Sequence, residues 1–261
     1  VTAPAVEEVY EYLKDDKSRM SAFISATGSA GTIAAGDYLK KLHPHMKISA
    51  SEALQCPTLY MNGFGGHRIE GIGDKHVPWV HNARNTDVVT AIDDEDCMRI
   101  MRLFNEDAGK DYLKSLGIPE DKVDSLELLG ISCISNMLSA IKTAKYYEMD
   151  ENDFVFTMFT DSMDLYKSRI EEARAEKGKY NETQAAVDFG ACLHKQTIDF
   201  TKELSYYDRK AIHNLKYYTW VEQQGKTVEE LNAQWNPDYW TELFEDEVEY
   251  FDRMIEEFNN L

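Results

Sequence analysis

At 261 residues, 43% of them hydrophobic and 29% charged, the chain has the composition of a globular protein with room for a sizeable core, not of a disordered one. Its formal net charge of −19 at pH 7 excludes extended contact with nucleic-acid phosphates and disfavours anionic membranes, both of which call for a basic surface. No apolar run approaches the roughly 18 residues of a membrane span, and Glu7, Glu8 and Glu11 stand where a signal peptide would need apolar residues.

Four cysteines (Cys56, Cys97, Cys133 and Cys192) lie far apart with no CxxC pair, which reads as reduced thiols in a cytoplasmic protein. The first residue is Val1, no natural initiator, so a fragment of a longer protein is expected.

Val6, Val9, Tyr10 and Leu13 fall on one helical face and predict a first helix over Ala5 to Leu13. The short apolar run Ala22 to Ala26 reads as a buried strand. Small residues follow from Thr27 to Thr32, then apolar residues at helical spacing from Ile33 to Leu42. Strand, small-residue loop and helix N-terminus together make an anion site, because the first amides of a helix lack intrahelical partners and its dipole favours negative charge. Gly28 and Gly31 let the backbone approach closely, while Ser29 and Thr32 add hydroxyl donors. The loop is neither a Walker A motif nor a GxGxxG fingerprint. Taken alone, it also reads as an ordinary strand-to-helix turn.

Beyond Pro44, Met46 to Ala50 predicts a second strand, parallel to the first in a right-handed βαβ unit. Residues 55–90 include a glycine-rich segment, Asn62 to Pro78, expected to be loop of the kind that lines ligands. Asp93 to Asp96 open a helix carrying Met98, Ile100, Met101, Leu103 and Phe104, and read as first-turn capping acids, not metal ligands. A second small-residue turn, Gly130 to Asn136, runs into a helix through Lys145. Phe154 to Phe159 is expected to be a buried strand ending at Thr160 to Tyr166.

From about residue 170 the chain reads as wholly helical, acidic and aromatic. Phe244, Val248, Phe251, Ile255 and Phe258 form one narrow apolar seam, suited to docking on a partner or on the chain's own domain. His43 and His45, or His76 and His81, lack the spacing of a metal site, and none is expected. Tyr206, Tyr207, Tyr217, Tyr218 and Trp220 lie in acidic surroundings, which favours packing or an oligomer interface over base stacking. Cys133 reads as a structural thiol.

The order of these motifs resembles the latter part of fold-type II pyridoxal-phosphate (PLP) enzymes, the cysteine synthase and cystathionine β-synthase family. The likeness covers roughly residues 5–170. Gly28-Ser29-Ala30-Gly31-Thr32 stands where the family's phosphate loop reads Gly-Thr-Gly-Gly-Thr. Gly71-Ile72-Gly73 matches a segment on the cofactor face, Gly130-Ile131-Ser132 a Gly-Ile-Ser turn, and Thr160 to Tyr166 a Pro-Asp-Ser-Gly-x-x-Tyr ending.

The resemblance implies an α/β fold with three layers, a mostly parallel sheet flanked by helices. Residues 1–169 would be a partial PLP-binding domain and 170–261 an acidic helical extension. It implies PLP contacts from Gly28, Ser29, Ala30, Gly31, Thr32, Gly71, Gly73, Ser132, Asp161 and Ser162, with Ser132 at the pyridine nitrogen. A hydroxyl there does not hold the nitrogen protonated, which suits α,β-elimination or β-replacement on an amino acid. As a residue of its own segment, Ser132 also reads as an N-cap.

In the family, the Schiff-base lysine precedes the phosphate loop. Only 27 residues precede Gly28 here, and Lys14 and Lys17 sit in a polar context. Lys75 is nearer, at a position the family does not use, so no catalytic residue is assigned. The expectation is a C-terminal part, inactive alone, in a homodimer or completed by an N-terminal part.

Ala30, Cys133-Ile134-Ser135-Asn136 and Asp74-Lys75-His76 depart from the family pattern. They leave open a threonine synthase-like enzyme, an ammonia-lyase or an amino-ketoacid thiolase subunit. A non-catalytic domain for a phosphorylated ligand also remains open.

Overall fold

The computed structural model describes residues 2–243 and 247–260. Helix α1 (Thr2–Leu13) leads to β1 (Arg19–Ala26), α2 (Ala34–Leu42) and β2 (Lys47–Ala53). A short α3 (Thr58–Met61) and a long irregular stretch precede β3 (Val88–Ile92). Then come α4 (Asp94–Asn105), α5 (Asp107–Ser115), α6 (Glu120–Ser125), α7 (Ile131–Tyr146) and β4 (Asp153–Thr157). The remainder holds α8 (Lys167–Lys177), α9 (Glu182–Asp188), β5 (Thr201–Glu203), α10 (Tyr206–Lys216), α11 (Val228–Ala233), α12 (Pro237–Thr241) and α13 (Val248–Asn259).

The five strands form one sheet in the order β4-β1-β2-β3-β5, parallel except for β5, which runs antiparallel to β3. Apolar layers cover both faces. Leu103, Ile134 and Leu138, from α4 and α7, pack on one side; Val6, Tyr10, Leu39 and Ile212, from α1, α2 and α10, pack on the other. This is the expected three-layer α/β arrangement.

Helix α7 crosses the sheet on a stripe of hydroxyls. Ser139 Oγ donates to Ser51 Oγ (2.6 Å) and shares a 2.6 Å hydrogen bond with Thr90, while Thr143 Oγ1 donates to Ser49 Oγ over 3.0 Å. Small side chains let the helix approach closely, and the buried hydroxyls satisfy one another. Ser132 and Asn136 lie on the same helical stripe as Ser139 and Thr143, nearer its N-terminus. Asp93 caps α4 by accepting from Glu95 N–H at 2.9 Å, the expected role of that acidic run.

Val88–Ile92, beyond the glycine-rich segment and given no element from the sequence, is a fully buried strand paired with Ser49 to Ala53 of β2. Three expectations need correction. The region after residue 170 is not wholly helical, since Thr201–Glu203 extends the sheet. Strand β4 is half-buried and not buried, because it pairs only with β1 at the sheet edge. Gly130, and not Ser132, is the N-cap of α7; a Cβ at Gly130 would collide with the Asp161 carboxyl and the Tyr166 ring.

Within this chain the seam residues Val248, Phe251, Ile255 and Phe258 of α13 are exposed, and Phe244 lies outside the described residues. The segment that follows β5 grips the irregular stretch before β3. The fully buried Lys216 Nζ donates to Trp79 O (2.8 Å), His81 O (2.7 Å) and Gln234 Oε1 (2.6 Å). Trp220 Nε1 donates to Val77 O at 2.8 Å, and Thr219 Oγ1 lies 2.8 Å from His76 Nδ1.

Candidate cofactor cleft

In an open parallel sheet, ligands settle in the crevice outside the carboxyl ends of the strands. The first turn past β1 is fixed there: the N–H and Oγ1 of Thr27 both donate to Ser51 O, at 2.8 and 3.1 Å. Gly73 N–H in turn donates to Thr27 O at 2.6 Å, which ties the glycine-rich segment to the small-residue loop. Gly71 and Gly73 hold φ near +80°, a region open to glycine, and this turn depends on it.

These elements enclose a cleft of about 110 Å³, lined by Gly28, Ser29, Ala30, Gly31, Thr32, Gly71 and Ser132 together with Asn136, Met158 and Thr160. Seven of the expected contact residues are therefore brought together. The other three are not in its lining.

Gly73 works from behind, as the anchor to Thr27. Asp161 sits behind Ser132, accepting from Ser132 Oγ at 3.5 Å, from the Cys133 thiol at 3.1 Å and from the Tyr166 hydroxyl. Burial, aided by the Asp161 carboxylate, raises both the Cys133 thiol and the Tyr166 phenol above their usual ranges, so both stay protonated as donors. Ser162 faces elsewhere: its Oγ accepts from Asp164 N–H at 3.4 Å, and it lines a separate depression with Leu128 and Met163.

The cleft suits a phosphate. Among the described residues, the backbone N–H groups of residues 28–33 have no protein acceptor. They precede the first turn of α2 and form the kind of concave donor array that binds anions. Ala30 takes φ +66°, the left-handed region that glycine fills most readily. Its side chain is buried in the apolar layer on the α1–α2 side, which offsets that strain.

No lysine lines the cleft. Lys14 pairs with Glu11 at the end of α1, Lys17 is exposed in the following turn, and Lys75 lies 5.9 Å over the Phe64 ring. Among the described residues no group of three His, Cys, Asp or Glu side chains is placed to hold a metal ion. No described helix is long and apolar enough to cross a membrane.

Ser25, Ala26 and Met158 line the cleft outside every motif read from the sequence, and Ile72, Asn136 and Thr160 line it from within those motifs without being expected contacts. Asn136 carries a readable signal, an amide four positions after Ser132 on a helix face otherwise made of small hydroxyl side chains.

Cysteine synthase B of Campylobacter jejuni is 28% identical over 159 residues, 60% of this chain and 46% of that protein. The chain is a homologue of cysteine synthases. A probable cysteine synthase of Bacillus subtilis is 26% identical over 168 residues, 64% of this chain and 47% of the relative. The chain thus spans about half the length of the curated cysteine synthases that it matches.

No family model matches. Among solved structures, O-acetyl serine sulfhydrylase isoform 3 from Entamoeba histolytica superposes with a TM-score of 0.53 at 24% identity, over 74% of this chain and 50% of that one; the two share a fold. The cysteine synthase homologues are fold-type II, PLP-dependent enzymes.

Proposed function

We propose that this chain forms the phosphate-holding wall of a PLP site in a cysteine synthase-like enzyme that eliminates or replaces a β-substituent of an amino acid. The observation that carries the reading is the convergence of loop residues 28–32, whose amides have no acceptor among the described residues, with Gly71 and Ser132 on one cleft. Bound there, PLP would supply the electron sink for the reaction.

The chain's own residues bind and orient. The loop amides and the hydroxyls of Ser29 and Thr32 would hold the phosphate, Gly71 would leave room for the ring face, and the Ser132 hydroxyl would turn its proton from Asp161 to the ring nitrogen. The cleft lining offers no amine, and the relatives are about twice as long. The Schiff-base lysine and the opposite wall therefore come from polypeptide outside this chain, either a preceding part or a partner subunit, and the chain alone is inactive.

Titration with PLP, followed by absorbance and by competition with inorganic phosphate, tests the reading. PLP should bind, phosphate should displace it, pyridoxal without phosphate should fail to bind, and borohydride should label no lysine. A borohydride-labelled Lys75 would place the catalytic amine in this chain. Failure to bind PLP, with phosphate still bound, would leave a plain phosphate-ligand domain.

A further inference from the structure

Asn136 is only 5% exposed and lines the cleft one helical turn beyond Ser132. Its orientation follows from its neighbour: Met158 O can only accept, so it takes the Nδ2 donor at 3.0 Å. That leaves Asn136 Oδ1 buried with no hydrogen-bond partner in the protein. A buried amide oxygen without a donor is costly, and such orphans repay a search for a missing partner. The phosphate of a monoester cannot be that partner, because its dianion, the main form at neutral pH, carries only acceptor oxygens. The partner must carry a polar hydrogen and reach the Ser132 end of the cleft.

We infer that Asn136 Oδ1 accepts a hydrogen bond from a polar hydrogen on the aromatic ring of the ligand whose phosphate the 28–33 loop holds. The inference rests on the PLP reading above and adds a contact that Ser132 alone does not provide. Two ring groups have the required chemistry, the ring nitrogen when protonated and the ring hydroxyl. An acceptor at the nitrogen would favour its protonated form, which would work against the neutral nitrogen expected of Ser132 alone.

The test compares the whole chain with its Asn136→Leu variant, titrating each with PLP, inorganic phosphate and the 1-deaza analogue of PLP. The expected result is a loss of about tenfold in PLP affinity, the scale of one buried hydrogen bond, with phosphate affinity within twofold of wild type. Damage to the loop through the lost Met158 contact would instead weaken phosphate and PLP alike and overturn the inference. Equal PLP affinity in both proteins would overturn it too. If the deaza analogue is insensitive to the substitution, the donor is the ring nitrogen; if it loses tenfold as well, the donor is the ring hydroxyl. A wild-type chain that binds phosphate but not PLP would remove the PLP reading itself, and the inference with it.

Discussion

Gly73 N–H donates to Thr27 O over 2.6 Å, which ties the two glycine-bearing loops of the cleft to each other. One loop follows the central strand β1. The other belongs to a long irregular stretch with little secondary structure of its own. Their hydrogen bond transmits the rigidity of the sheet to the second loop.

Substituting Gly73 should break that link. Its φ is +80°, and a Cβ there would lie 2.6 Å from His67 Nε2. Gly73→Ala should cost about 1–2 kcal/mol of stability and weaken phosphate binding. Gly66→Ala, with open space around the added atom, should be near neutral. Thermal melts of the two variants, with phosphate titrations, check this.

The two serines flanking Asp161 should behave differently. Ser132→Ala should weaken PLP binding about tenfold, the worth of one hydrogen bond, and shift the visible spectrum of the bound form. Ser162→Ala should leave both unchanged, because Ser162 lies outside the cleft lining. The reverse result would move the ring contact to the Thr160–Ser162 segment.

Glu52 gives a pH signature. It sits at the end of β2, where its carboxylate accepts from Leu59 N–H at 2.9 Å and Tyr60 N–H at 2.8 Å. Burial nevertheless raises its pKa from 4.5 to about 7. Between those values the folded state binds more protons than the unfolded state, so Glu52's contribution to stability falls as pH rises from 4.5 through 7. Across that window the loss is about 3 kcal/mol. Glu52→Gln should flatten this part of the stability–pH curve in denaturant titrations, whatever its offset at a single pH.

Lys216→Met should destabilise the chain by about 3 kcal/mol, because it strips the donor from three acceptors, Trp79 O, His81 O and Gln234 Oε1, in a buried setting. Urea unfolding monitored by tryptophan fluorescence checks the change, since Trp79 and Trp240 both lie beside Lys216.

Much of this architecture is legible in the residues. Ala22 to Ala26, the small-residue loop and the periodic helix after it announce the βαβ unit, because a buried parallel strand reads as a mostly apolar run. Strand β3 is harder to see. Val88 to Ile92 is short and follows a long stretch dominated by glycine and turn residues. Thr201 to Glu203 shows neither an apolar run nor alternation, since an edge strand of three residues buries little.

The same limit applies within the site. Gly28 to Thr32 and Ser132 are recognisable by type and order. The separation of Asp161 and Ser162 from the cleft is not, because it depends on how the 3₁₀ turn Met163–Tyr166 redirects the chain.

The grip of Lys216, Thr219 and Trp220 on residues 76–81 also bears on how the molecule opens. Amide protons in the glycine-rich stretch would exchange with solvent when this grip loosens, long before the central strands come apart. Helix α10 and the segment after it then act as the timekeeper for one side of the cleft, and the lifetime of a bound ligand would be set by residues that lie 135–143 positions downstream of their partners in that stretch.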